Sequence, residues 1–506
     1  MGRVKSATKN ILFGYVGTIC TALMSFIVRT VFIYKLNETL LGVNGLYTNI
    51  LSLLSMAELG IGTALNFSLY APIARGDKEK IKSYMQMYRR AYYVIACVVA
   101  AIGLIIAPFL SVLIKNPGQN SIHDLTMYYL IFLFNTVSTY FVSYKYSLTN
   151  AEQKNYIQTN INTITKIITS ILQMIGLLIF GNFYLYLLTD AAVQLIQKIF
   201  ANYYLNKLYP YLTEKNITPL SKTESDTVWS KTKALVLHKV GDVARLQTDS
   251  LIISAFIEVT VVGMVDNYNL VISTIANFVN IIFNSVISSF GNLIATESKE
   301  KQFNSFKIYR FFASWIYGFS SVGFFLLLTP LVQIWLGDSW ILPSSAIYLI
   351  LTDYYFKGDR IVLSNYKTAA GVFEPDKYLA LIQGVVNLIL SIWLVQVIGL
   401  AGIYVGTVVS GFIANIAKPI IIYKVCFDKK AGSYFVDTAK YLATVILIGF
   451  ICFWLKTIIM PTVTIIRFGI MLILITIIFN GIFIAIFGRT NEFNYIISLI
   501  KSKVKK

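Results

Sequence analysis

A chain of 506 residues that is 56% apolar and only 13% charged lies far from the composition of a soluble domain. Its formal net charge of +19 would suggest nucleic acid in a soluble protein. No basic run carries interleaved stacking aromatics, so nucleic acid is excluded as a partner and anionic membrane lipid is the expected one. Cys20, Cys97, Cys426 and Cys452 have neither disulfide nor metal spacing, and no metal site is expected.

Fourteen apolar stretches follow one another, near 11–33, 41–68, 91–114, 124–144, 156–180, 182–204, 233–256, 262–288, 308–330, 341–363, 378–398, 400–423, 437–456 and 464–487. A spanning helix needs about 20 mostly apolar residues to cross roughly 30 Å of hydrocarbon. The fold class expected is therefore an all-α polytopic membrane protein with about 14 transmembrane helices. The first stretch is too long for a signal-peptide core and lacks a small-residue cleavage site, so it is expected to remain as a helix. Of the 43 Lys and Arg, Lys35, Lys115, Lys456 and Arg467 fall in odd-numbered gaps, and Arg29, Lys166, Lys239 and Arg245 lie inside spans. Most of the rest sit at the termini or in even-numbered gaps, with Lys198, Arg310, Lys357, Arg360, Lys418 and Lys440 in the stretches that border those gaps. The positive-inside bias then places both termini in the cytoplasm.

The longest polar segment, 205–232, lies between stretches 6 and 7. It divides the chain into an N-lobe of six helices (1–204), a cytoplasmic linker (205–232), a C-lobe of six helices (233–425), and a remainder (426–506) with two extra C-terminal helices and a basic tail. The lobes read as copies. With residue 42 laid on 263, Gly42 meets Gly263, Tyr47 meets Tyr268, Ser52 meets Ser273, and IARGDKEK at 73–80 meets IATESKEK at 294–301. Tyr88-Arg89 then falls on Tyr309-Arg310. A shared polar loop is a stronger sign of duplication than shared Ile or Leu. Six helices between the copies give both lobes one orientation, with a pseudo-two-fold axis along the membrane normal and substrate between the lobes.

Two polar stripes run the depth of corresponding helices. Stretch 2 carries Asn44, Thr48, Ser52, Ser55, Glu58, Gly62 and Asn66; stretch 8 carries Asp266, Asn269, Ser273, Asn277, Asn280, Asn284 and Ser288. At helical spacing each forms one face, which cannot be left against lipid. Helix packing is the alternative for a few Ser and Asn residues. Whole stripes at matching places in both lobes favour a wet, substrate-binding cavity.

Charges sharpen this reading. Stretch 7 reads LHKVGDVARLQTDS, placing His238, Lys239, Asp242, Arg245 and Asp249 within about one third of its circumference. Intramembrane charges mark a pathway or a partner. His238, Lys239, Asp242 and Asp249, with Lys166 and Asp190, are candidates for ion coupling or charge pairing, and Asp242, Arg245 and Asp249 could simply neutralise one another along the helix. Arg29 has no acidic residue within helical reach in its own stretch and needs a cross-helix partner or an anion. Arg29 and Arg245 suit bidentate phosphate binding. Lys166 could pair with Glu58 or extend toward the interface, and Asp353 lies near Lys357 and Arg360. No Walker A loop, zinc signature or nucleophile elbow is present. No cofactor is expected, and transport would draw on a Na+ or H+ gradient, a substrate gradient or a partner.

The residues LHKVG at 237–241, TDSLIIS at 248–254, VVGMVDNY at 261–268, SSFGNLIATES at 288–298 and LLGVNGLYTNILSLLSMAELGIGTAL at 40–65 resemble the polysaccharide flippases, the Wzx-type branch of the multidrug/oligosaccharidyl-lipid/polysaccharide exporter superfamily. The resemblance extends over nearly the whole chain. It implies a bacterial plasma (inner) membrane protein, a transporter and not an enzyme. Its work would be to carry an undecaprenyl-diphosphate-linked oligosaccharide from the cytoplasmic to the outer leaflet by alternating access, for capsule, O-antigen or exopolysaccharide assembly. A polysaccharide polymerase and a chain-length regulator are the protein partners this implies. Arg29 and Arg245 would take the diphosphate, and Asn and Ser of the two stripes the sugar hydroxyls. The acidic residues of stretch 7 and Asp266 depart from the pattern. A cation-coupled multidrug exporter and a peptidoglycan-precursor flippase of the same superfamily are the alternatives. A membrane glycosyltransferase or polymerase would need a soluble catalytic segment, and none is seen.

Overall fold

The computed structural model describes residues 2–214, 217–226, 228–230, 247–372 and 374–504, and it is almost wholly helical. The chain forms two compact units, Met1–Asp266 with Ala380–Gly384, and Asn267–Leu379 with Val385–Lys506. The first holds α1 (Gly2–Lys35), α2 (Glu38–Leu54), α3 (Met56–Arg75), α4 (Lys78–Ile106), α5 (Ile122–Ala151), α6 (Tyr156–Phe180) and α7 (Phe183–Leu208). Helix α8 (Val259–Thr296) begins in it and passes into the second unit after Asp266. There follow α9 (Lys299–Leu336), α10 (Ser344–Asp359), α11 (Ile361–Ala370), α12 (Leu379–Ile398), α13 (Leu400–Phe427), α14 (Gly432–Ile459), α15 (Ile465–Phe487) and α16 (Asn491–Val504).

Among the described residues, 10 helices are long and apolar enough to cross a membrane. The other expected spans differ for local reasons. Stretch 7 lies largely on 231–246, outside the described residues. Helix α7 carries Asp190, Gln194, Gln197 and Lys198, which dilute its hydropathy. Stretch 2 is divided at Ser55, whose hydroxyl donates to the Leu51 carbonyl at 2.8 Å and accepts from Tyr140 Oη at 2.9 Å. A hydroxyl bonded back one turn bends a helix. Stretch 10 is divided at Arg360, which donates to the Gly411 carbonyl at 3.2 Å and to Asn415, and so ties the break to α13. Several helices outrun their apolar stretches: α9 starts at Lys299, because Lys, Glu and Gln are good helix formers beyond the hydrocarbon.

The two loops matched in sequence, at 73–80 and 294–301, do the same local task. Asp77 accepts from the Lys80 backbone N–H at 2.9 Å and caps α4, after Gly76 turns the chain at φ 70°. Ser298, its match, accepts from Lys301 N–H at 3.4 Å and caps α9. Each relieves one of the unpaired N–H groups at a helix start. The matched tyrosines are both buried and both bond to backbone, in opposite senses. Tyr47 Oη donates to the Leu125 carbonyl in the first turn of α5 at 2.8 Å, and Tyr268 Oη accepts from Leu342 N–H just before α10 at 3.4 Å.

In the first unit α1 runs along α6, α4 along α5, and α5 along α7. Small residues set the approach of α2 to the start of α8. A Cβ on Gly42 would stand 1.9 Å from the Val259 carbonyl oxygen, and one on Gly263 would stand 2.9 Å from Gly42 N. The Gly42→Ala variant is therefore expected to lose about 1–3 kcal/mol of stability, because backbone must move to admit the methyl. Reduced membrane abundance and a lowered melting temperature by tryptophan fluorescence are the readouts.

In the second unit α9 is the spine, packed against α10, α14, α15 and α16. Phe311, Val322 and Leu326 of α9 meet Ile448 and Cys452 of α14 and Met471, Ile475, Phe479 and Phe483 of α15 in one buried cluster. Arg310 lies beside it, 2% exposed. It stacks on the Tyr434 ring at 3.5 Å, donates to the Tyr434 carbonyl at 2.8 Å and to Thr438 Oγ1 at 2.6 Å, and faces Asp359 at 3.6 Å and Asp437 at 3.7 Å. Tyr434 and Thr438 in turn donate to Asp359 Oδ2 at 3.0 and 2.9 Å.

Candidate functional site

The polar residues of the first unit gather where α1, α6, α7 and the start of α8 present charge. Phe32 of α1 packs edge-on against Phe183 and Tyr186 of α7, with ring centroids at 5.7 and 5.1 Å. That contact fixes the rotation of α1 and hence the direction of Arg29, one turn earlier. Arg29 is half-buried, and its Nη1 meets no hydrogen-bonding group among the described residues. It lies close enough to Asp266, Lys166 and Tyr186 to act on each electrostatically. Asp266 reaches over α2: a Cβ on Gly45 would stand 1.9 Å from its Oδ2. Thr18 and Thr21, on the same side of α1, bond back to Gly14 and Gly17 carbonyls at 2.8 Å.

Behind Arg29 a network joins α5 and α7. Asn135 donates from Nδ2 to Asp190 Oδ2 at 2.8 Å, and Lys198 Nζ donates to the Asn135 carbonyl, Asn135 Oδ1 and Ser138 Oγ, each at 2.8 Å. Lys166 of α6 has Asp190 and Arg29 as charged neighbours, not Glu58. Glu58 instead lies among Tyr92 and Tyr140. Asn135 and Lys198 were not legible as site residues, since they lie on different helices, α5 and α7, and meet only through packing. The spacing of Asp190 and Lys198, two turns apart on one helix, was the available signal.

The stripe on α2 has Thr48 exposed and Asn44 and Ser52 half-buried. Thr48 and Ser52 hydroxyls donate to the carbonyls one turn back, which leaves their oxygens able to accept. Asn49, one position off the stripe, donates to Ser250 Oγ at 2.9 Å and holds α2 to the helical turn that carries half-buried Asp249. On α8, within the second unit, Asn269, Ser273, Asn277 and Asn284 are exposed, while Asn280 accepts from Tyr317 Oη at 3.1 Å. Asn267 was missed by the stripe. It is fully buried, and neither amide atom has a hydrogen-bond partner among the described residues. Asp353 pairs with Lys357 at 2.6 Å. Arg245, His238, Lys239 and Asp242 lie outside the described residues.

No family model matches this chain, and no curated protein does. Solved structures do. The lipid II flippase MurJ, in an inward closed conformation, superposes with a TM-score of 0.70 over 94% of this chain and 99% of its own, at 13% identity. A mutant of the Vibrio cholerae MATE transporter VcmN gives 0.59 over 86% and 99%, at 16% identity. An inward-facing multidrug resistance MATE family transporter of the MOP superfamily gives 0.61 over 81% and 96%, at 15% identity. This chain has the MurJ/MATE fold. At such identities the likeness is one of backbone path, and the side chains of the site must be argued on their own chemistry.

Proposed function

We propose that the protein is a flippase of the Wzx type, moving a polyprenyl-diphosphate-linked oligosaccharide across the plasma membrane by alternating access between two six-helix lobes. The observation that carries this reading is Arg29, a cation at membrane depth whose buried Nη1 has no hydrogen-bond partner among the described residues, inside a transporter fold. A guanidinium so placed suits an oxyanion that arrives with the substrate. The exposed Asn269, Asn277 and Asn284 supply donors and acceptors of the kind that sugar hydroxyls take. The fold likeness to MurJ, a lipid II flippase, supports a lipid-linked substrate. The matched caps at Asp77 and Ser298, and the packing of Gly42 against Gly263, support the internal duplication.

A second reading rests on Glu58 and Asp266, two carboxylates at membrane depth, which would suit a cation-coupled multidrug exporter. The two are separated by following the lipid-linked oligosaccharide in a strain lacking the protein. Accumulation in the cytoplasmic leaflet, with surface polysaccharide restored by the wild-type chain, is the expected result. Normal polysaccharide with altered drug sensitivity assigns the exporter, and loss of cell-wall synthesis with accumulation of its lipid precursor assigns that precursor as substrate.

A further inference from the structure

A cationic cavity of about 670 Å³ lies between α4, α5 and α7, closed at one end by residues 212–214 and 217. Its charged lining is Lys82, Arg89, Lys145 and Lys198 against Glu214. Glu214 is taken by Lys82 at 2.6 Å, leaving Arg89, Lys145 and Lys198 with no carboxylate in ion-pair contact among the described residues. Lys145 is 6% exposed and donates to Asn202 Oδ1 and Asn206 Oδ1, both at 2.5 Å, which leaves its ammonium one N–H to give. Arg89 is exposed and donates Nε to Tyr93 Oη at 3.0 Å, and its other guanidinium N–H groups meet no protein acceptor among the described residues.

The repeat gives Arg89 a control. On the register that lays 42 on 263, Arg89 matches Arg310. Arg310 is covered by Tyr434, Asp437 and Thr438 of α14, a helix beyond the repeated segment. Arg89 is instead exposed and lines the cavity, its guanidinium 5.4 Å from the Tyr93 ring centroid, with no carboxylate in ion-pair contact among the described residues. The rest of the lining says what shape fits there. Phe141, Leu195 and Ile199 are 47%, 39% and 62% exposed, an apolar trough beside the cations. A free anion has no use for such a wall; a lipid with a phosphate headgroup and acyl chains does.

We propose that this cavity binds the phosphate headgroup of an anionic glycerophospholipid of the leaflet that faces the basic loops, with Arg89 and Lys145 as the phosphate donors and the trough holding the first carbons of an acyl chain. Basic pockets between helices on the cytoplasmic side are suited to such headgroups. Arg29 is not among the lining residues, although Lys198 and Ser138 line the cavity and also belong to the network behind Arg29; the proposal does not depend on which substrate is transported.

The test uses the full-length protein, delipidated in detergent and titrated with dioleoylphosphatidylglycerol or dioleoylphosphatidylcholine, with retained lipid read by native mass spectrometry. Wild-type protein is expected to retain the glycerol lipid over the choline lipid. Arg89→Gln, at an exposed position, should weaken that retention about five- to ten-fold, and Arg89→Gln with Lys145→Gln further. The melting temperature in choline lipid should not change for Arg89→Gln, which remains decisive if the double variant fails to fold. Equal retention of both lipids, or equal retention by wild type and Arg89→Gln, overturns the proposal. So does displacement of the lipid by inorganic phosphate at equal concentration, or selection of farnesyl diphosphate over phosphatidylglycerol, which would assign the site to a free anion or to the substrate carrier.

Discussion

Replacing Arg29 with alanine is expected to lower transport by about 10- to 100-fold, while the protein still inserts and accumulates. A charge-assisted, bidentate contact to phosphate is worth about 1.5–3 kcal/mol, and on the proposed function Arg29 would make it to the substrate itself. The fold should tolerate the loss, because Nη1 has no hydrogen-bond partner to strand among the described residues. The α1 helix is held instead by Phe32 on Phe183 and Tyr186 and by its packing along α6. The measurement is restoration of surface polysaccharide in a strain lacking the chain, alongside membrane abundance. Arg29→Lys keeps the charge but loses the fork, so partial activity there separates a phosphate role from a purely electrostatic one. Full activity of Arg29→Ala at wild-type abundance would sink the diphosphate role for this residue.

Arg310→Ala should act in the opposite way, removing the protein and not its specificity. The expected cost is about 3–5 kcal/mol, the penalty for leaving a buried charge without its partner. Asp359 would lose its cation while keeping only the hydroxyls of Tyr434 and Thr438. The cavity left against the Tyr434 ring adds to that cost. Thermal unfolding in detergent should shift down, and membrane abundance should fall. Arg310→Ala combined with Asp359→Asn should recover part of the loss, since the stranded charge is removed with it. No recovery in the double variant would mean that Asp359 is not the partner that matters. The contrast with Arg89 is informative: the arginine at the matching sequence position is exposed and has no carboxylate in ion-pair contact among the described residues, whereas Arg310 is enclosed by α14.

The course of the chain was written in its hydropathy. Water cannot serve backbone groups in hydrocarbon, so each apolar stretch has little choice but to be a helix. The sequence match between 73–80 and 294–301 includes a polar loop, and Asp77 and Ser298 each cap the helix that follows. What periodicity could not supply was the partner of each polar side chain. It placed Asn280 with Asn277 and Asn284 on one stripe, yet Tyr317 of α9 takes Asn280 while its neighbours stay exposed. It passed over Asn135 and Lys198, which become neighbours only when α5 lies along α7. It divided neither stretch 2 at Ser55 nor stretch 10 at Arg360, because both breaks are held by groups of other helices, Tyr140 and Gly411. A single helix's pattern reports which face is polar; the residue facing it is contributed by a distant part of the chain, and only packing decides which.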